Sequence, residues 1–400
     1  MKTEAAMRYR NDISILGYGC MRFTTRNNKI DIDKAEKEIL KALELGVNYF
    51  DTAYIYPGSE EALGIIMERN NIRDKMILAT KLPQYFVKNR SSLDRYLNEE
   101  LKRLRTDHLD VYLLHHMTDY AQWRFLESVG IREWIEEKKK EGRIRNIGFS
   151  FHGNTEMFLK ILNAYDWDTC LVQYNYMDET SQAGREGIKK AYEKGVKVFI
   201  MEPLRGGKLV DLLPSKAKEH IANDPHGWTP AEWAFRWLWD QKEITCVLSG
   251  MNSIEMIEEN CKIASEAEIG SYGGSELKMI SDIKEYINEN TKVNCTGCRY
   301  CQPCPKGVDI PGIFAAYNHM FSEGKRQGRR EYFQAVSLRL EPAEASLCIK
   351  CGKCELHCPQ SIPIREKLVE ADKALRPLHY KVASKLARHF MVEKKAKKKS

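Results

Sequence analysis

The sequence predicts an α/β fold, a (β/α)8 barrel followed by a smaller, mainly α-helical domain. Three observations lead there. Short apolar runs alternate with amphipathic stretches about eight times over roughly 250 residues, the rhythm and size of a parallel-stranded barrel. Successive runs end on polar side chains, Asp51, Lys81, His115, Ser150 and Gln173, and a barrel carries its chemistry at the C-terminal ends of its strands. Eight of the twelve cysteines crowd between Cys295 and Cys358, beyond the last of these runs.

The elements follow in order. Residues 7–16 read as a short hairpin turning at Asn11-Asp12, and residues 15–20 as a first strand. Residues 33–46 carry Ala35, Ile39, Ala42, Leu43 and Leu45 at helical spacing and close on a glycine. The run Val47-Asn48-Tyr49-Phe50 then delivers Asp51 into a loop that holds Tyr54 and Tyr56. Residues 60–70 are a helix, 76–80 a strand ending at Lys81, 93–104 an amphipathic helix, and 109–114 a strand ending at His115 and His116. A charged helix runs through Lys140 to Gly142. The strand 144–149 ends at Ser150, the helix 155–162 follows, and the strand 169–172 ends at Gln173. A helix over 185–194, a strand over 196–201, a helix over 230–241, a last strand over 244–248 ending at Ser249-Gly250 and a helix over 253–264 complete the series.

Four hundred residues with 43% apolar content accommodate one large domain and a smaller one. No apolar run approaches membrane-spanning length and the N-terminus has no signal-peptide core, so a cytoplasmic protein without a membrane span is expected. The net charge of +7 is uneven, with Lys394, Lys395, Lys397, Lys398 and Lys399 in a tail that reads as solvated. Nothing interleaves aromatics with those lysines, which argues against nucleic-acid binding. The division is a barrel over 1–268, a linker and connecting helix over 269–292, a cysteine-rich domain over 293–376 and a basic tail over 377–400. Leu277, Ile280, Ile283 and Ile287 stripe the connecting helix.

The open doubly wound sheet competes with the barrel, but Gly17-Tyr18-Gly19-Cys20-Met21-Arg22 lacks the G-x-G-x-x-G phosphate turn. One lysine after a strand is ordinarily a surface residue, and Asp51 could simply cap a helix. Five polar side chains in phase at five strand ends suggest chemistry instead. A buried carboxylate keeps a neighbouring lysine charged, and that cation is expected to lower the pKa of a nearby tyrosine. Such a tyrosine can protonate a carbonyl oxygen while a histidine orients it, provided an external donor supplies hydride.

Residues 7–263 resemble an aldo-keto reductase. Phe50-Asp51-Thr52-Ala53 with Tyr56, the strand-end Lys81, and Asp110-Val111-Tyr112-Leu113-Leu114-His115 match the family's tetrad motifs. The resemblance implies Tyr56 as general acid, Lys81 and Asp51 as its tuning pair and His115 as the group that orients substrate, with Tyr54 and His116 as adjacent alternatives. It also implies that Gly148-Phe149-Ser150 and Gln173 hold the nicotinamide carboxamide. Ser249 and Gly250 are assigned to the cofactor, and Glu259-Asn260 to its adenine end. Two departures stand out: Phe151 replaces the usual asparagine after Ser150, and Gly250 and Met256 occupy the places of a lysine and an arginine that grip a 2′-phosphate. The implied cofactor is accordingly NADPH or NADH, and the implied substrate a small carbonyl compound or alcohol.

Cys20, Cys170, Cys246 and Cys261 are scattered and read as buried thiols. Cys348-x2-Cys351-x2-Cys354-x3-Cys358-Pro359 is the bacterial ferredoxin run for a [4Fe–4S] cluster, and Cys295-x2-Cys298-x2-Cys301-x2-Cys304-Pro305 is one residue short of it. Zinc also takes paired C-x2-C motifs, but it has no use for two quartets each closed by Cys-Pro. In two-cluster ferredoxins the fourth cysteine of each run serves the other cluster. Two clusters follow, one on Cys295, Cys298, Cys301 and Cys358, the other on Cys348, Cys351, Cys354 and Cys304. The long helix-prone spacer resembles the helical ferredoxin domain of succinate dehydrogenase iron–sulfur subunits. Within it, Lys325, Arg326, Arg329 and Arg330 form either a solvated face or a dock for an acidic electron-transfer protein. The expectation is a reductase whose clusters relay electrons to or from a ferredoxin or flavoprotein. The alternatives are an electron-transfer module with the barrel as docking or regulatory platform, and clusters that are structural or redox-sensing.

Overall fold

The computed structural model describes residues 6–389 except 290, 296, 298, 340, 359 and 361. The lysine-rich end of the tail and Cys298 therefore lie outside the described residues. Eight parallel strands close a barrel: β1 (Leu16–Gly19), β2 (Tyr49–Asp51), β3 (Ile77–Leu82), β4 (Leu109–Met117), β5 (Ile144–Phe151), β6 (Thr169–Gln173), β7 (Lys197–Met201) and β8 (Ile244–Ser249). They pair in chain order, and β8 closes on β1 through Val247↔Leu16 and Ser249↔Tyr18.

Both faces of these strands are buried, which is why they read as nearly continuous apolar runs. Side chains alternate with period two. Tyr49, Ala79, Val111, Leu113, Leu171, Phe199, Cys246 and Leu248 fill the barrel interior, whereas Phe50, Leu78, Tyr112, Leu114 and Val172 pack outward against the helices. Two residues beyond the interior members come Asp51, Lys81, His115 and Gln173, so the same alternation aims these polar groups into the barrel mouth. The N-terminal hairpin, Tyr9–Arg10 against Ile13–Ser14, turns at Asn11 and Asp12 with φ of 52° and 64° and seats Ile13 in the interior cluster.

The helices start where their sequences provide acceptors. Asp31 caps Ile32–Glu44 by accepting from the Lys34 N–H at 3.2 Å, and Ser253 caps Ile254–Glu266 at 3.3 Å through Met256. The charged helix expected through Lys140 is two helices, Tyr120–Ser128 and Ile131–Lys140, because Gly130 breaks it with a left-handed φ of 78°. The connecting helix, Gly274–Asn288, buries Met279, Ile280, Ile283 and Ile287 in the barrel's own hydrophobic cluster, and Leu277 from the expected stripe faces solvent.

The C-terminal part is helical, with Ile310–Ser322, Lys325–Tyr332, Ile364–Leu375 and Leu378–Arg388 around a second core that contains Ile313, Phe314, Tyr332, Val336 and Leu368. No described residue after Ser249 is in a strand. This second body sits on the barrel's C-terminal rim. Arg205, after β7, ion-pairs with Asp178 of the barrel and with Glu323 of the helical domain, and Lys208 reaches Glu323 at 3.1 Å. Arg299 donates to the Thr155 hydroxyl at 3.0 Å. Among the described residues no helix is long and apolar enough to cross a membrane.

Candidate active site and cysteine cavities

Asp51 and Lys81 are buried at the ends of β2 and β3, and the Lys81 ammonium donates to Asp51 Oδ1 and, at 2.7 Å, to the Thr52 carbonyl. The loop after β2 folds back through a Tyr56 N–H to Ala53 carbonyl bond of 2.9 Å. That turn brings the half-buried Tyr56 ring to 5.1 Å from Lys81 Nζ. His115, at the end of β4, meets Tyr56 edge-on with ring centroids 6.1 Å apart and planes at 86°. Four residues from three separate stretches of the chain thus converge at one mouth. Tyr54 does not join them: its hydroxyl donates to Glu99 at 3.0 Å and its ring lies under Arg103, on the outer helical layer.

The electrostatics depart from the sequence expectation in one respect. Burial would lower the Lys81 ammonium, but Asp51 and Tyr56 outweigh it and hold its pKa above the usual value. The lysine is a cation. Burial raises Tyr56 above its ordinary value of 10.0, and Lys81 only partly opposes this. A lowered tyrosine was expected from charge alone; the expectation omitted the desolvation that comes with closing the site. The phenol keeps its proton at neutral pH. Burial, then Lys81 and the neighbouring histidines, push His115 well below 6.5, so its imidazole is neutral. Its Nδ1 is buried and unpartnered among the described residues.

The residues assigned to a nicotinamide cofactor are distributed as follows. The Ser150 hydroxyl accepts the His116 N–H at 2.8 Å and among the described residues donates to no partner. Gln173 Nε2 donates to Asp178 at 2.7 Å and its carbonyl accepts from Gln182. Asn260 donates to the Ser249 hydroxyl at 3.2 Å, bringing that pair together. Gly250 lies open beneath the Arg22 side chain, which also reaches the Gly206 carbonyl at 3.4 Å. Glu259 points away to the Thr229 hydroxyl at 3.2 Å, and Met256 is exposed.

Several neighbours were not singled out from sequence. Tyr85 stands 6.2 Å from the His115 ring, and the His152 ring lies 4.6 Å from that of His116 with the planes tilted by 35°, where a left-handed φ of 58° turns His116 at the β4–β5 register shift. The position of His152, two residues beyond Ser150, was a legible strand-end signal. Arg330 was not legible as a rim residue. It comes from the helical domain, yet its charge bears on His116, His152 and Glu202. Arg329 donates to the Ala374 carbonyl at 3.1 Å. Lys325, Arg326 and Arg330 are exposed, and Arg329 is half-buried.

The cysteine runs converge on two cavities. One is lined by Cys295, Cys301 and Cys358, with Ile310, Phe314 and Ile364. The other is lined by Cys304, Cys348, Cys351 and Cys354, with Cys301 at the boundary. This is the crossed grouping, each run lending its last cysteine to the other. Among the described residues no three His, Cys, Asp or Glu converge closely enough for a single metal ion. The cysteines that line the two cavities are the sulfur donors an iron–sulfur cluster takes.

Comparison with known proteins agrees with both halves. The 4Fe-4S dicluster domain matches residues 294–362. An uncharacterized oxidoreductase of Bacillus subtilis is 26% identical over 288 residues, covering 64% of this chain and 88% of that protein. An L-galactose dehydrogenase of Arabidopsis thaliana is 25% identical over 299 residues, 70% and 93% of the two chains. The holo form of an aldo-keto reductase from Bacillus halodurans superimposes with a TM-score of 0.56 at 26% identity, over 70% of this chain and 96% of that one. The aldo/keto reductase family matches residues 15–281, and the chain belongs to that family.

Proposed function

We propose that the barrel reduces a small carbonyl compound, or oxidises the corresponding alcohol, by hydride transfer with NADPH or NADH, and that two [4Fe–4S] clusters in the helical domain exchange electrons with a partner. The observation that carries the reading is the convergence of Tyr56, Lys81, Asp51 and His115 at the barrel mouth. When bound, the nicotinamide supplies hydride and the clusters supply one-electron exchange. Tyr56, protonated at neutral pH, donates its proton to the substrate oxygen as charge develops there. Lys81, charged and held by Asp51, stabilises the phenolate that results. Neutral His115 orients the oxygen without competing for the proton.

Ser150, Gln173, Ser249, Gly250, Glu259 and Asn260 are the proposed cofactor contacts. The free O–H of Ser150 and the paired Ser249 and Asn260 support the assignment most directly. The clusters would be held by Cys295, Cys298, Cys301 and Cys358, and by Cys304, Cys348, Cys351 and Cys354. The test of the barrel chemistry is Tyr56→Phe, with Tyr54→Phe as control. Carbonyl turnover should fall by roughly 10² or more in the first, the range for a lost general acid, with nicotinamide binding retained. Equal turnover in wild type and Tyr56→Phe would remove the assignment.

A further inference from the structure

The two cysteine cavities are not equivalent in their surroundings. The one lined by Cys295, Cys301 and Cys358 also carries Arg299, which bonds to Thr155 on the barrel rim, and Gly297 lies against Thr180 of the loop after β6. It is turned toward the barrel. The other cavity opens outward: Cys351 is exposed, whereas Cys304, Cys348 and Cys354 are half-buried.

Around that outer cavity the surface is both apolar and basic. Tyr300 is 66% exposed and Ile349 59%, and both line the cavity; Leu356, on the short helix Lys353–Leu356, is 84% exposed. Lys306, Lys353, His357 and Arg365 line it as well, and among the described residues no aspartate or glutamate does. Arg365 is neutralised by Glu355 at 2.7 Å. Lys306, Lys350 and Lys353 are exposed and make no ion pair among the described residues. Lysines alone could merely offset the charge of thiolates. Three large apolar side chains held in water beside them are not explained that way, and such a patch ringed by polar groups marks an interaction surface.

We propose that this collar of Tyr300, Ile349, Leu356, Lys306, Lys350 and Lys353 is the docking surface for a small acidic electron-carrier protein. This rests on the proposed electron exchange with a partner, and it moves the dock away from residues 325–330. The lysines give charge complementarity and steer the encounter, and the apolar residues supply a dry centre. The chain's own lysine-rich tail carries the wrong charge to cover it.

The experiment uses the full chain, prepared anaerobically, with a reduced acidic bacterial ferredoxin as probe and reduced methyl viologen as a small non-docking control. Electron uptake from ferredoxin should slow as salt rises, because the Debye length shrinks to about 10 Å at 0.1 M. Lys350→Glu/Lys353→Glu should slow it by roughly tenfold and flatten its salt dependence, a loss of electrostatic steering. Lys306→Glu, in the other cysteine run, should slow it in the same sense. Leu356→Ala should slow it several-fold and leave the salt slope as in wild type. Uptake from viologen, a cation that added glutamates do not repel, should not slow in any of them, and the visible spectrum should be unchanged. Ferredoxin rates indifferent to these substitutions, with viologen uptake intact, would overturn the docking surface alone. If neither donor delivers electrons, the electron-exchange reading itself fails and the dock with it. Sedimentation showing a dimer that Leu356→Ala dissolves would assign the collar to a second copy of the chain, also overturning the proposal.

Discussion

At the scale of single residues, the site is a balance between burial and pairing. Lys81 and Asp51 are both withdrawn from water, so each is tolerable only because of the other. Lys81→Met should leave Asp51 as an unpaired buried carboxylate and cost about 3–5 kcal/mol of stability, read as a lower thermal midpoint. Adding Asp51→Asn should recover most of that stability and none of the turnover. Recovery of turnover in the double variant would deny the pair a catalytic role. The pH behaviour follows from the same burial. Tyr56 is raised and His115 lowered, so neither titrates between pH 7 and 9, and carbonyl reduction should stay flat there. It should then fall as pH rises through the raised Tyr56 value, because the acid form is the one required. A pH–rate profile of kcat checks both parts.

At the scale of elements, close packing sets the tolerances. Gly64, in the helix Ser59–Asn70, lies flush against the end of Arg90–Leu104, and a methyl there would run into the Arg103 carbonyl and the Leu104 backbone. Backbone cannot rotate aside as a side chain can. Gly64→Ala, favourable for an isolated helix by about 1 kcal/mol, should here destabilise by roughly 1–3 kcal/mol. Denaturant unfolding would measure it, and a stabilised variant would show that the two helices are not in this contact. The same helix pair was legible in sequence from its apolar spacing, but not this glycine, whose meaning depends on what lies opposite. Boundaries were legible only to within a few residues. β4 and β5 run on past His115 and Ser150 to Met117 and Phe151, because pairing across β4–β5 holds residues whose own sequence looks like loop.

At the scale of the whole molecule, the union of the two bodies is ionic and buried. His319 lies between Arg205 and Asp178 of the barrel and Glu331 of its own domain, with Glu323 and Lys208 completing the cluster. Burial and Arg205 would lower the His319 pKa, but Glu331 and Asp178 outweigh them and raise it. A group raised in the folded state stabilises fully below its unfolded pKa, about 6.5 for histidine, and loses that contribution as pH rises through the folded value. Wild type should therefore exceed His319→Gln by roughly 2–4 °C in thermal midpoint at pH 6 if the contribution is about 1 kcal/mol. The gap should narrow toward pH 9. A gap that widens with pH would reverse the assigned sign. The cysteine cavities give a second prediction at this scale: anaerobically prepared protein should carry about eight irons per chain. Stoichiometric zinc without iron would exclude the clusters. Cys351→Ser should abolish exchange with one-electron donors and leave direct carbonyl reduction intact, because the residues from Asp51 to Gln173 are placed by barrel strands.

Local sequence specifies the barrel, the helical character of the C-terminal domain and the order of polar groups along the rim. Each is written locally, in the alternation of apolar runs, in cysteine spacing and in the residue that ends each strand. The loop after β2 turns Tyr56 toward Lys81 and Tyr54 onto the outer helices. Tertiary structure decided what depends on residues distant in the chain. The sign of the Tyr56 shift is set by how far the mouth is desolvated, a property of the assembled site rather than of Lys81 nearby. Gln173 meets Asp178, and Asp178 meets Arg205 and the helical domain, because a second body closes on the rim. The parting of Arg329 from Arg330, and the collar left exposed around Cys351, follow from that same docking, since only the folded arrangement says which charges meet a partner and which stay in water.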